Sequence, residues 1–226
     1  MAIRNKKKVS HFSLRKINPL TENQKDAFRA YDSGMNLVLH GYAGTGKSFI
    51  SLYLSLEEIL SGNNQYDRII IVRSVVPSRD MGFLPGKLAE KIKVYEEPYK
   101  EIVDDLFDRG DGWEILKTRK TVHFTTTSYL RGVTFNNAIV IVDEIQNMSF
   151  GELDTVMTRM GDNSRVIFSG DFRQTDLGEK ERSGLVRFLN ITKRMNDFAY
   201  VEFGKEDIVR SGIVKDYIIQ KAELGC

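Results

Sequence analysis

Gly41-Tyr42-Ala43-Gly44-Thr45-Gly46-Lys47-Ser48 follows a short apolar run, Asn36 to Leu39, and opens a helical pattern from Ser48 to Leu60. The octapeptide fits G-x-x-x-x-G-K-[ST], and the strand before it and helix after it are where a phosphate-binding loop needs them. Its glycines let the backbone curl so that successive N–H groups face phosphate oxygens, and the helix beginning near Ser48 adds its positive end. In such a loop Lys47 reaches the β- and γ-phosphates and Ser48 ligates Mg²⁺; Phe49 is the next residue of the nucleotide-binding stretch. The competing reading, a glycine-rich turn that binds nothing, leaves the flanking strand and helix without a purpose.

The same alternation runs outward in both directions. Apolar runs at Arg68 to Val72, Thr121 to Phe124, Ala138 to Val142 and Arg165 to Phe168 are expected as strands buried on both faces. Lys87 to Phe107 and Phe150 to Met160 are expected as helices, the latter introduced by a capping box of Ser149 with Glu152. Phe198 to Phe203 and Ile208 to Glu223 repeat the order of strand then helix. Upstream, Thr21 reads as a helix N-cap with Gln24 completing a capping box, and Gly34 as the stop. This pattern predicts an α/β fold with a mostly parallel sheet, helices on both faces, and ligand sites beyond the C-terminal strand ends.

Ala138-Ile139-Val140-Ile141-Val142-Asp143-Glu144 is an apolar strand ending in two acids. Alone these would read as a solvated strand cap. Beside a phosphate loop they read as a Walker B pair, Asp143 holding Mg²⁺ through water and Glu144 polarising the attacking water. A GTPase would carry Asn/Thr-Lys-x-Asp, which does not occur, and a small-molecule kinase has no need of Glu144 directly after Asp143. Water is therefore the expected acceptor. Ser169-Gly170-Asp171-Phe172-Arg173-Gln174 follows another strand, so Gln174 is either a γ-phosphate sensor or a surface residue of a Gly-Asp turn. Gln24 is open between its capping role and reading adenine through its amide.

At 226 residues the chain suits one α/β domain, with 33 basic and 31 acidic side chains giving a net charge of +2. Total charge therefore selects no partner, but its arrangement is uneven. No acid precedes Glu22, while Arg4, Lys6, Lys7, Lys8, Arg15 and Lys16 are basic. Residues 1–18 are expected as a basic arm, mobile at its start, and 19–226 as the single domain. Cys226 is the sole cysteine, which excludes an internal disulfide and a Cys-based zinc site. With no apolar run near the ~20 residues of a membrane helix, a soluble cytoplasmic protein is expected.

The ordered set of motifs is similar to the PhoH-like ATPase family, related to superfamily 1 helicase cores, in the form of a phage-type minimal member. The resemblance spans Pro19 to Glu223. Beyond the Walker segments it rests on Arg73 to Gly86, Glu97-Pro98-Tyr99, Tyr129-Leu130-Arg131-Gly132-Val133-Thr134-Phe135, Asp143-Glu144-Ile145-Gln146-Asn147, Thr158-Arg159-Met160-Gly161, Gly170 to Leu177 and Ser183-Gly184-Leu185.

It implies a RecA-like core and an ATP- and Mg²⁺-dependent hydrolase tied to single-stranded nucleic acid, RNA before DNA, as a helicase or remodeller. It makes Gln24 an adenine reader and Gln174 a γ-phosphate sensor, and Arg73, Arg131 and Gln146 coupling residues, with surface or intradomain salt bridges as the other reading of these. No nuclease segment, KH module or second RecA-like lobe is recognised. An arginine finger is therefore expected from this core or from another copy, in a ring that the resemblance makes a hexamer.

Asp207-Ile208-Val209-Arg210-Ser211 resembles the arginine-bearing segment of such cores, making Arg210 the first finger candidate and Arg182 the second. Spacing alone favours a pairing of Arg210 with Asp207 or Asp216. Lys16, Arg79, Lys87 and Phe83 are expected nucleic-acid contacts. The other functions weighed are an ATP-gated assembly switch without translocation and, disfavoured by Glu144, a small-molecule phosphotransferase.

Overall fold

The computed structural model describes residues 12–62, 64–74, 88–130, 132–172 and 179–224, with backbone alone at 88–92 and 179–183. Six strands form one sheet: β1 (Asn36–Gly41), β2 (Arg68–Arg73), β3 (Val122–Thr126), β4 (Ala138–Asp143), β5 (Ser164–Gly170) and β6 (Phe198–Phe203). Their order is β3-β2-β4-β5-β1-β6, and every pairing is parallel. All six match expected apolar runs. Five of them continue one or two residues further at the C-terminal end, which carries Gly41, Arg73, Asp143 and Gly170 up to the site.

Successive side chains of a strand face opposite sides, so each apolar run feeds two cores. Ile69, Ile71 and Ile141 join the core formed with α1 (Glu22–Asp32), α2 (Lys47–Ser61), α3 (Leu88–Leu106) and α4 (Gly112–Thr118). Ile70, Val72, Val140 and Val142 join the one formed with α5 (Phe150–Thr158) and α6 (Glu179–Thr192). Helices thus cover both faces. In α2 the residues from Ile50 to Leu56 are all buried, the signature of a helix enclosed by its neighbours. Phe12, Leu14 and Ile17, from the stretch read as a basic arm, pack against the first core.

The structure departs from the sequence-based expectation in three places. Helices α4 and α6 have no counterpart among the expected elements. The last helix, α7 (Gly212–Glu223), begins later than Ile208 because Lys205–Asp207 forms a separate 3-10 turn. That turn is closed by Asp207, whose buried Oδ2 accepts from Gly204 N at 2.8 Å and from Asn23 Nδ2 at 2.7 Å. The Gln24 capping box is only half formed: Thr21 Oγ1 accepts the Gln24 N–H at 3.3 Å, but Gln24 Oε1 turns to Leu20 N at 2.7 Å. The box of Ser149 with Glu152 is complete.

Candidate active site

Strand β5 lies between β1 and β4, so the phosphate loop and the Asp143-Glu144 pair face each other across one strand's width at the C-terminal edge. A cavity of about 1080 Å³ opens there, lined by Ala43 to Phe49, Gln24, Arg73, Tyr99, Asp143, Glu144, Gln146, Asp171 and Arg210. Gly41 and Tyr42 stand behind it. A Cβ at Gly41 would sit 2.1 Å from the Phe203 carbonyl oxygen, at φ 118°, so β1 can approach β6 this closely only with glycine there. Lys47 Nζ folds back onto the loop, donating to Tyr42 O at 2.7 Å and Gly41 O at 3.0 Å.

Ser48 and Asp143, read from the sequence as the residues that would hold a cation, are in contact: Ser48 Oγ donates to Asp143 Oδ2 at 2.9 Å. Two oxygen ligands, one of them a carboxylate, form the partial set that Mg²⁺ takes together with phosphate oxygens and water, so the residues present fit that ion. Asp143 also accepts from Tyr99 Oη on Oδ2 at 2.9 Å and from Ser169 Oγ on Oδ1. The sequence assigned no role to Tyr99 or Ser169. The cues to Tyr99 were its place in the Glu97-Pro98-Tyr99 motif and Pro98 itself, a residue that removes a helical hydrogen bond and still lies inside α3.

Glu144 stands at φ 57°, a left-handed conformation uncommon for a residue with a side chain, as the chain leaves β4. Burial and the adjacent Asp143 charge raise its pKa, against the pull of Arg73, Gln146 and Lys47. Gln146 Nε2 donates to Glu144 Oε2, and Gln146 Oε1 accepts the Asp171 N–H at 3.1 Å. One amide therefore ties the acid after β4 to the segment after β5. Arg73 is the Cα partner of Asp143 across the β2–β4 ladder. Burial disfavours its charge, but Tyr99, Glu144 and Asp143 outweigh this and hold its pKa up.

On the opposite wall, Gln24 is 5% exposed and its Nε2 donates to Thr45 O at 3.1 Å. Both ends of its amide are thus engaged, one with the chain before α1 and one with the phosphate loop. Arg210 is exposed and lies over Gly44, and Val209 N donates to Gly44 O at 3.0 Å. Among the described residues the alternative pairing of Arg210 with Asp207 or Asp216 is not made, and Asn23 and Gly204 both bond the buried Asp207 Oδ2. Gln174, Arg131, Arg79, Lys87, Phe83, Arg4 and Lys6 to Lys8 lie outside the described residues, as does the Arg182 side chain.

Among the described residues no helix is long and apolar enough to cross a membrane, and no group of three His, Cys, Asp or Glu could cage a metal. The large terminase of a thermophilic bacteriophage, in complex with ADP, shares the fold with a TM-score of 0.53 at 13% identity, covering 88% of this chain and 49% of that one. The Hef helicase domain of Pyrococcus furiosus does so with 0.50 at 12%, covering 83% and 39%. The architecture is the α/β RecA-like fold of P-loop proteins.

Sequence relatives are more telling. A PhoH-like protein of Mycobacterium leprae is 33% identical over 210 residues, 92% of this chain and 59% of that protein. Protein PhoH of Escherichia coli K12 is 36% identical over 194 residues, 85% and 54% respectively. The chain spans a little over half the length of these relatives. With residues 16–222 matching the family described as PhoH-like protein, and with the phosphate loop, the Asp143-Glu144 pair and their shared hydrogen bonds inside that span, the chain belongs to the PhoH-like family.

Proposed function

We propose that the protein is a Mg²⁺-dependent ATP hydrolase coupled to single-stranded nucleic acid, RNA in the first place, acting as a ring of identical subunits. The observation that carries the hydrolase reading is Glu144 held by Gln146 against the Asp171 backbone, across the cavity from Lys47. Lys47 exchanges its loop carbonyls for β- and γ-phosphate oxygens. Glu144 accepts a proton from the water that attacks the γ-phosphorus as the bond to the bridging oxygen breaks. Ser48 and Asp143 would hold Mg²⁺, which would neutralise phosphate charge. Arg73 stands on the Glu144 side of the cavity and Arg210 on the phosphate-loop side, and these arginines steady the phosphate charge. Gln24 reads the base after releasing Leu20 or Thr45.

Support for a subunit interface comes from α7 beside Arg210. It buries none of its residues, and Ile213 and Tyr217 are 82% and 68% exposed. A neighbouring copy seated there would lie against the nucleotide, making turnover depend on assembly. The test is phosphate release per subunit across a range of protein concentrations, with and without single-stranded RNA or DNA. A rate that rises with concentration and with RNA supports the full reading; a rate indifferent to both leaves hydrolysis but removes the ring and the nucleic-acid role.

A further inference from the structure

The geometry points to Tyr99 as a positioning residue that fixes the Asp143 carboxylate for its cation and links that carboxylate to α3; this rests on the reading of Ser48 and Asp143 as the cation-holding pair. Tyr99 is 1% exposed, its ring tilted against Phe124 with centroids 5.6 Å apart. A ring so enclosed leaves its hydroxyl one direction, and the hydroxyl donates to the same Asp143 Oδ2 that Ser48 uses. The Asp143 carboxylate can only accept, so the Tyr99 hydroxyl is the donor in this bond.

When Ser48 turns its oxygen to a cation, Tyr99 and Ser169 remain to hold the carboxylate plane. Ser169 belongs to the sheet, and Tyr99 alone belongs to a covering helix. Movement of Asp143 away from Tyr99 would cost the buried hydroxyl this bond, which couples the carboxylate to the helix. The same helix carries Asp104, whose Oδ1 accepts the Trp113 N–H at 3.0 Å. Trp113 is the sole tryptophan of the chain and is buried, so its fluorescence reports on the packing of α3 against α4.

The experiment compares the wild type, Tyr99→Phe and Phe188→Leu, the last in the core on the other face of the sheet. ADP binding is followed by calorimetry in EDTA and across a Mg²⁺ titration, alongside Trp113 fluorescence. For Tyr99→Phe the expected result is ADP affinity in EDTA within about twofold of wild type, half-saturating Mg²⁺ raised about tenfold, and a smaller Mg²⁺-dependent change in Trp113 emission. Phe188→Leu is expected to lower the melting temperature and leave half-saturating Mg²⁺ unchanged, separating positioning from packing. A Mg²⁺ response of full size in Tyr99→Phe overturns this proposal alone. A wild type whose ADP affinity ignores Mg²⁺ overturns the cation-holding pair as well.

Discussion

The side chain of Arg210 lies directly on the phosphate loop at Gly44: a Cβ built at Gly44 would be 2.8 Å from Arg210 Cγ and 3.4 Å from Ile218 Cδ1. Gly44 also has φ 73°, so any side chain there is strained before it meets the arginine. Gly44→Val should therefore abolish ADP binding by displacing the segment that carries Arg210. Arg210→Ala leaves the loop intact and removes only the charge over it. It should preserve ADP affinity within a few-fold and lower kcat by about 10²–10³-fold, measured by calorimetry and phosphate release.

Glu152 ties three elements together. Its Oε1 accepts from Ser74 Oγ at 2.7 Å and Thr127 Oγ1 at 2.5 Å, and its Oε2 from Ser149 N and Oγ, both at 2.9 Å. Glu152→Ala should cost about 1–3 kcal/mol in urea unfolding, since it strands several partly buried donors. Burial alone would raise its pKa, but the bonds from Thr127, Ser149 and Ser74 hold it below the ordinary 4.5. A depressed folded-state pKa contributes stability above that ordinary value and loses it as pH falls through the folded one. The wild type's advantage over Glu152→Ala should shrink on acidification below that ordinary value of 4.5.

Phe12 stacks on Phe107 with centroids 4.2 Å apart, under the guanidiniums of Arg119 and Arg109. Three residues on, Arg15 Nη1 meets Asp105 Oδ1 at 3.0 Å, and residues 15–20 line the nucleotide cavity. Phe12→Ala should lower stability by about 1–2 kcal/mol. Because it loosens a cavity wall, it should also weaken ADP binding, whereas Lys25→Ala, on an exposed ion pair, should change neither.

Arg165 is a contrasting buried charge at the far end of the sheet. Its guanidinium bonds the Met35 and Tyr31 carbonyl oxygens, pairs with Glu58 at 3.0 Å and covers the Tyr31 ring. Arg165→Met should cost about 3 kcal/mol, because the part-buried Glu58 carboxylate loses its cation and the Met35 carbonyl loses its donor. Turnover per folded molecule should not change, which thermal melts with active-site titration would check.

Residues that act through local pattern were legible in the sequence. The strands announced themselves as β-branched runs, Ser149 and Glu152 as a four-residue capping signal, and the phosphate loop by spacing alone. Partnerships between distant residues were not. Asn23 meets Asp207 across 184 positions, and no local rule separates that aspartate from one on a surface helix. Without that contact, residues 208–223 read as one helix. Short α4 offers too few turns for a helical period, and α6 leaves Val186 and Ile191 exposed, which blurs its apolar stripe. Tyr99 falls within a legible motif, but its bond to Asp143 exists only because α3 packs beside α2 and α4 on one face of the sheet.

The most direct test of the central claim separates nucleotide binding from hydrolysis in one variant. Glu144→Gln keeps the size and the Gln146 contact of the wild-type side chain but cannot take a proton from water. ATP affinity should remain within a few-fold of wild type while phosphate release falls by about 10²–10⁴-fold. A Glu144→Gln protein that releases phosphate at the wild-type rate would contradict the assignment of Glu144, and with it the hydrolytic site described above.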